Sequence, residues 1–202
     1  MQGIKFLKNF DFNNQRVLLR ADLNVPMMHG KISDTERIER LLPTITYLRK
    51  QKAKIIILSH FGRPNGEFNL SMSLAPLVDK LNDFIPDTEI KFGIDCIGKD
   101  AEETVNNLKA GEIAILENLR FYKEEEKNDK NFAAKLAKLG DIYINDTFSC
   151  SHRKHASIVG IPKLLPCGMG LLFEEEIKNL ENHLDAPKTP VAAIVGGSKV
   201  ST

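Results

Sequence analysis

The chain has 202 residues, of which 42% are hydrophobic and 27% charged, a composition typical of a folded globular protein. Its 28 Lys and Arg against 27 Asp and Glu leave a formal net charge of +1, so bulk electrostatic binding to nucleic acid or an anionic membrane is not expected. No apolar run approaches the roughly 20 residues that cross a bilayer, and the first ten residues lack a signal-peptide core. Three cysteines without C-x-x-C spacing indicate a reduced cytoplasmic protein.

Short apolar runs rich in Val, Ile and Leu alternate with helix-type patterns along the chain. Most of these runs lack polar–apolar alternation, which is typical of strands covered on both faces. The predicted strands are Arg16–Ala21, Lys54–Ser59, Glu89–Phe92, Glu112–Leu116, Asp141–Asn145 and Val191–Val195. The alternation predicts an α/β fold, a three-layer Rossmann-like doubly wound parallel sheet.

Helices are predicted between these strands. The first spans Asp34–Gln51, with Ser33 as N-cap and Glu36 completing a capping box, and Pro43 is expected to kink it or delay its start. The others are Leu74–Phe84 with Ser73 as N-cap, Asp100–Leu108, Asp129–Leu139 between Asn128 and Gly140, and Leu171–His183.

Three further segments complete the description along the chain. The charged run Lys123–Lys130 is interpreted as a solvated loop, and Gly168–Gly170 as a turn. After a linker near Pro187–Pro190, a strand and Gly196–Thr202 have the pattern of a new βα unit. We therefore expect a first domain over residues 1–170, an interdomain helix over 171–186 and an incomplete second domain over 187–202, in a piece of a longer protein truncated before most of that domain.

Polar side chains follow the predicted strands at the edge where open α/β sheets bind ligands. These residues, called the rim below, are Asp22, Asn24, Arg37, His60, Arg63, Arg120, Asn145, Asp146, His152 and Arg153. Guanidinium groups bind carboxylate or phosphate with two parallel hydrogen bonds and stay charged. Several converging arginines predict a small polyanion with a phosphate and a carboxylate; the alternative is that each arginine pairs with a surface acid.

Other candidate sites are less specific. Cys150, His152 and His155 match no closed zinc site, and no metal site is predicted. The sequence has no Walker A loop. Gly196-Gly197-Ser198-Lys199 follows a predicted strand and could offer N–H groups and a lysine to phosphates, or could be only a tight turn.

Four segments closely resemble the signature segments of phosphoglycerate kinases, in the family's order and roughly at its spacing. They are Arg20–Met27 (RADLNVPM), Leu58–Pro64 (LSHFGRP), Leu116–Phe121 (LENLRF) and Gly196–Val200 (GGSKV), and the resemblance covers the whole chain. It implies a two-domain, hinge-bending glycolytic kinase, monomeric and cytoplasmic. Such an enzyme transfers a phosphoryl group between 1,3-bisphosphoglycerate and Mg²⁺-bound ADP, giving 3-phosphoglycerate and ATP.

The resemblance also implies roles for individual residues. The glycerate would contact Asp22 and Asn24, the 3-phosphate would contact His60, Arg63, Arg120 and Arg153, and Leu23, Phe61 and Gly62 are further substrate-binding positions. Arg37 and Lys199 would face the transferring phosphoryl group as catalytic residues, and Gly196, Gly197 and Lys199 would bind the nucleotide. Magnesium would enter with ADP or ATP, and its ligands are expected beyond this chain, which would be inactive alone.

This sequence departs from the family pattern near Arg153. Thr147-Phe148-Ser149 stands where the family usually has Ala-Phe-Gly, and Lys154 where a small residue is common. Ser149 matters most if that position requires a positive φ. Two other functions are alternatives to this one. The first is a stand-alone binding module for an anionic metabolite, and the second is a dinucleotide-dependent oxidoreductase, whose Gly-x-Gly-x-x-Gly fingerprint this sequence lacks.

Overall fold

The computed structural model describes residues 5–28 and 30–184. Its strands are β1 (Arg16–Arg20), β2 (Met27–Met28), β3 (Lys31–Ile32), β4 (Lys54–Leu58), β5 (Ile90–Gly93), β6 (Ile113–Leu116), β7 (Ile142–Asn145) and β8 (Cys167–Met169). Its helices are α1 (Glu36–Lys50), α2 (Pro76–Phe84), α3 (Gly98–Asn106), α4 (Lys123–Glu126), α5 (Lys130–Ala137) and α6 (Leu171–Leu184). The five predicted strands within this part are confirmed to within one residue at each end. The predicted strand Val191–Val195 lies outside the described residues.

Six strands form one parallel sheet in the order β5-β6-β4-β1-β7-β8. The first strand of the chain is therefore central, with Val17 opposite Ile55 of β4 on one side and Ile142 of β7 on the other. The short strands β2 and β3 pair only with each other, in antiparallel orientation. This arrangement confirms the predicted α/β fold.

Two apolar clusters cover the two faces of the sheet, as three-layer packing requires. Val17 and Leu19 face one cluster, which includes residues of α1 and α2. Leu18 faces the other, which includes residues of α3 and α5. Because successive side chains of a strand point to opposite faces, a strand buried on both sides has no polar face, and its sequence is a continuous apolar run.

The start of α1 differs from its prediction. Ser33 forms no capping box, because its hydroxyl donates to the Pro26 carbonyl at 3.1 Å and the helix begins after Thr35. Pro43 lies inside the helix, which starts at Glu36, so the proline does not delay that start.

Two other predicted caps are also wrong. Ala75, rather than Ser73, precedes α2, and the Ser73 hydroxyl accepts from the Ala75 N–H at 3.1 Å. For α5 the cap is Asp129, whose carboxylate accepts from the Phe132 N–H at 2.8 Å. Asn128 instead has a left-handed backbone with φ of 52°, which ends the preceding turn.

Two segments interpreted as irregular contain regular structure. The charged run holds α4, and its Glu125 side chain is completely buried. Cys167–Met169 is not a turn but the edge strand β8, parallel to β7. Within the described ranges, no helix is long and apolar enough to cross a membrane. The division into domains at residues 171 and 187 stays a prediction.

Candidate functional site

The loops that carry the rim lie side by side. Because β6, β4, β1 and β7 are consecutive in the sheet, the segments that follow their carboxyl ends meet along one edge. The N-terminal turn of α1, which brings Arg37, joins them through an ion pair with Asp22. The structure therefore assembles segments that are up to about 130 residues apart in the sequence, from Asp22 to Arg153.

Arg20, the last residue of β1, lies beneath this edge with 1% of its surface exposed. Its Nη2 is 3.1 Å from Nδ1 of His60, and its Nε donates to the Ser157 hydroxyl at 3.0 Å. In the sequence Arg20 is a residue of the predicted strand Arg16–Ala21, and its role beneath the rim is not among the predictions. An arginine inside a strand that is otherwise apolar on both faces was the signal, since a buried charge requires polar partners.

Positive charge is concentrated around His60. Burial and the nearby guanidinium groups of Arg20, Arg120 and Arg153 lower the pKa of His60 to about 2, so the ring is neutral at any working pH. Burial, and next the charge of Arg153, lower the pKa of Arg120. Burial and the same cations lower the pKa of His155 to about 4, so its contact with Glu125 at 3.8 Å is not an ion pair.

The arginines differ in their partners. Arg37 pairs with Asp22, and Arg120 lies 3.1 Å from the exposed Glu126, although this contact is poorly aligned for a hydrogen bond. Arg63 and Arg153 have no side-chain hydrogen bond or ion pair with any residue of the described part. Pairing with surface acids therefore accounts for two of the four arginines and leaves two cations available to a ligand.

The loop after β4 is held by its neighbours through the backbone. Gly62 has φ of 61°, its N–H donates to Oδ1 of Asn24 at 2.9 Å, and its carbonyl accepts from Arg120 at 2.8 Å. Asn118 accepts from the Phe61 N–H at 3.2 Å and donates to the Phe61 carbonyl at 2.7 Å. These contacts fix the loop that carries His60 and Arg63, and Asn118 was not singled out from the sequence.

Leu23 sits differently from the polar positions beside it. Its side chain is in the apolar core with 1% exposure, and its N–H donates to the Ser59 hydroxyl at 2.9 Å. The side chain and the N–H of Leu23 are therefore not free to contact a ligand. These two contacts instead anchor the loop at the position between Asp22 and Asn24.

Ser149 bridges two rim loops. Its hydroxyl donates to Oδ2 of Asp22 at 2.7 Å, the oxygen that also binds Arg37. It is not among the non-glycine residues of the described part that have positive φ. Ser149 therefore makes a polar contact without backbone strain, and the side chain of Lys154 is exposed.

A cleft of about 230 Å³ opens beside this bridge, between the loops after β1 and β7 and helices α1 and α6. Arg37, Arg40, Asp146 and Ser149 contribute to its walls. The cations around His60 lie outside it. The rim thus has two zones, a partly enclosed cleft around Arg37 and a cluster of cationic side chains around His60.

Two rim side chains and the neighbouring Cys150 are close enough together to be considered as metal ligands. The distances between one ligand atom of each side chain, Asp22, His60 and Cys150, are all within 4.8 Å. This set differs from Cys150, His152 and His155, the residues considered as metal ligands from the sequence. However, Asp22 is bound by Arg37, and Nδ1 of His60 faces Arg20. A cation would add to this positive charge, so the electrostatics favour an anion. The nucleotide positions Gly196, Gly197 and Lys199 lie outside the described residues.

Comparison with known proteins gives a consistent family. The family model described as phosphoglycerate kinase matches residues 7–202. The chain is 49% identical over 202 residues to the phosphoglycerate kinase of Wolbachia pipientis subsp. Culex pipiens, covering 100% of this chain and 50% of that protein. It is 45% identical over 200 residues to that of Borrelia hermsii, covering 99% and 51%.

A solved structure agrees with the sequence relatives. The phosphoglycerate kinase of Coxiella burnetii superimposes with a TM-score of 0.84 at 37% identity, covering 98% of this chain and 49% of that one. The chain spans about half the length of the relatives it matches. Because the family model matches residues 7–202 and a relative is 49% identical over the whole chain, the chain belongs to the phosphoglycerate kinase family.

Proposed function

We propose that the rim binds 3-phosphoglycerate and 1,3-bisphosphoglycerate, and that this chain supplies the substrate-binding side of a phosphoglycerate kinase. The observation that carries the proposal is the unpartnered guanidinium group of Arg153 close to the neutral and buried His60, with the unpartnered Arg63 three residues after His60 on the same loop. A phosphate can accept hydrogen bonds from all three. We expect Asp22, on the loop after β1, to accept from the hydroxyl group of a glycerate, and Asn24 on the same loop to donate to its carboxyl group.

The reaction would depend on positioning and charge. Phosphoryl transfer requires no protein nucleophile, and stabilisation of the negative charge spread over the transferring group does most of the catalytic work. We assign that role to Arg37 at the enclosed cleft, together with Lys199. The nucleotide would bind at Gly196, Gly197 and Lys199 and at residues outside this chain, and closing of two half-sites would exclude water from the acyl phosphate.

Magnesium enters this proposal only with ADP or ATP, as a metal that bridges phosphates. The rim does not fit it as a protein site, because its one carboxylate near His60, Asp22, is already paired with Arg37. We therefore assign no residue of the rim to the metal. A monomeric state and a cytoplasmic location are part of the proposal, and the free thiols of Cys96, Cys150 and Cys167 support the location.

Calorimetric titration of the 202-residue chain with 3-phosphoglycerate at low salt tests the binding role. We expect saturable binding of 3-phosphoglycerate at one site. The Kd of Mg²⁺–ATP should be at least tenfold higher, which corresponds to a binding free energy weaker by about 1.4 kcal/mol or more. Absence of 3-phosphoglycerate binding by the folded chain would contradict the proposal. Binding without phosphoryl transfer on addition of a complete nucleotide-binding half would favour the stand-alone anion-binding module.

A matched pair of variants locates the site. Arg153→Ala should weaken 3-phosphoglycerate binding about tenfold or more, since a charge-assisted hydrogen bond is lost. Arg49→Ala removes the same charge at the opposite edge of the sheet, where Arg49 pairs with Asp87 at 3.0 Å, and should leave the affinity unchanged. Equal losses in both variants would mean that only the net charge of the chain attracts the ligand.

A further inference from the structure

A buried chain of hydrogen bonds runs from the charged segment 123–126 to the rim. The Ser157 N–H donates to Oε2 of Glu125 at 2.9 Å, and the Ser157 hydroxyl donates to Oε1 of the same carboxylate. Nε of Arg20 donates to the Ser157 hydroxyl at 3.0 Å, and Nη2 of Arg20 contacts Nδ1 of His60 at 3.1 Å. Glu125 and Ser157 are completely buried, and Arg20 and His60 are exposed by only 1% and 3%.

The direction of each bond in this chain is determined by chemistry. A guanidinium group has only donors, so Nδ1 of His60 must accept, and the proton of a neutral ring must lie on Nε2. The Ser157 hydroxyl accepts from Arg20 and so directs its single proton to Glu125. The series of hydrogen bonds therefore has a single donor-to-acceptor direction between Arg20 and Glu125, and it ends at the Glu125 carboxylate.

Glu125 is also the counter-charge of the group. Arg20 is buried near two other guanidinium groups, those of Arg120 and Arg153, and a buried charge without compensation is strongly unfavourable. Burial raises the pKa of Glu125, whereas Arg20 and the Ser157 bonds oppose that rise. The neighbouring Glu124 and Glu126 are partly or fully exposed and have no bond to Ser157.

We infer that Glu125 and Ser157 are positioning residues for the anion site: through Arg20 they hold the His60 ring as the neutral Nε2–H tautomer, so that its free nitrogen is a hydrogen-bond donor. This inference rests on the proposed function for the identity of the ligand, 3-phosphoglycerate. The tautomer itself belongs to the protein alone. A phosphate accepts hydrogen bonds and does not donate them when fully ionised, so only the Nε2–H form can bind it through that nitrogen.

Long-range ¹H–¹⁵N NMR of the histidine rings in the 202-residue chain tests the tautomer, with His60→Gln used to assign the signals. In the unmodified chain we expect an unprotonated Nδ1 and a protonated Nε2 for His60. A proton on Nδ1 would overturn the inference, without any variant that could fail to fold. Because no ligand is present, this result does not depend on whether the chain binds 3-phosphoglycerate.

Ser157→Ala and Glu125→Gln test the chain of bonds, and Glu124→Gln is the matched control for the lost charge. In the first two variants we expect mixed His60 tautomers and about tenfold weaker 3-phosphoglycerate binding, as for loss of a hydrogen bond to a charged group. Glu124→Gln should change neither property. Variants that keep their melting temperature, a single Nε2–H tautomer and full affinity would overturn the inference, as would weaker binding with an unchanged tautomer.

Discussion

Asp146 is a carboxyl group that the fold buries beside the start of α6. Its Oδ1 accepts from the Phe173 N–H at 3.0 Å, and the residue is only 1% exposed, so desolvation outweighs the hydrogen bonds to the carboxylate. Burial raises the pKa of Asp146 from 3.8 to about 6. That difference is equivalent to about 3 kcal/mol, at 1.36 kcal/mol per pKa unit.

The sign of the effect follows from proton binding. Between pH 3.8 and about 6 the folded protein holds a proton at Asp146 that the unfolded chain has lost, so the free energy of unfolding decreases as pH rises through this window. Asp146→Asn removes the ionisation and keeps an acceptor for Phe173. We expect the variant to gain about 2 kcal/mol relative to the unmodified chain between about pH 4.5 and about pH 7.5.

Urea unfolding of both proteins at the two pH values measures this change, and taking the difference removes any constant cost of the new amide. Asp79→Asn, at an exposed position of α2, is the control and should follow the unmodified chain at both pH values. If Asp146→Asn and the unmodified chain lose or gain the same stability with pH, Asp146 ionises as an ordinary exposed carboxyl and the reasoning from burial is refuted.

Three further substitutions test contacts described above. Ser149→Ala should weaken 3-phosphoglycerate binding about threefold, since Asp22 loses a hydrogen bond, and calorimetry would reveal an unchanged affinity if the bridge is irrelevant. Gly140→Ala should destabilise the chain by about 1–3 kcal/mol, because a Cβ there would overlap with the Leu18 side chain. Tyr143→Phe removes a buried 2.7 Å hydrogen bond to a backbone carbonyl and should lower the free energy of unfolding by about 1 kcal/mol. Urea unfolding measures the stability of the Gly140→Ala and Tyr143→Phe variants. Wild-type stability in either variant would contradict the contact that the variant tests.

Strand positions could be predicted because a strand that is buried on both faces has a continuous apolar run in its sequence. Runs such as Ile55–Leu58 have no polar residue, so their bounds are visible without knowledge of their neighbours. The strand β8 has only three residues, one of them Gly168, and owes its conformation to pairing with β7. No local pattern could predict it, and the same is true of the two-residue strands β2 and β3.

The candidate site was predictable as a set of residues but not as an arrangement. The rule that ligands bind at the carboxyl ends of strands was sufficient to select Arg63 and Arg153. It could not show which arginines are already paired, since that depends on contacts between separate segments, such as Arg37 of α1 with Asp22 of the loop after β1. Glu125 was hidden within a charged run, where the sequence does not distinguish the one buried carboxylate from its exposed neighbours.

The central position of β1 has a consequence for the order of folding. Arg16 pairs with Lys54, 38 residues later, and Val17 pairs with Ile142, 125 residues later. The middle of the sheet therefore cannot close until most of the described chain has been synthesised. Such distant pairings slow folding and leave apolar edges exposed meanwhile. During translation, β1 emerges first and waits longest for its second neighbour, which makes this strand the most vulnerable to mispairing.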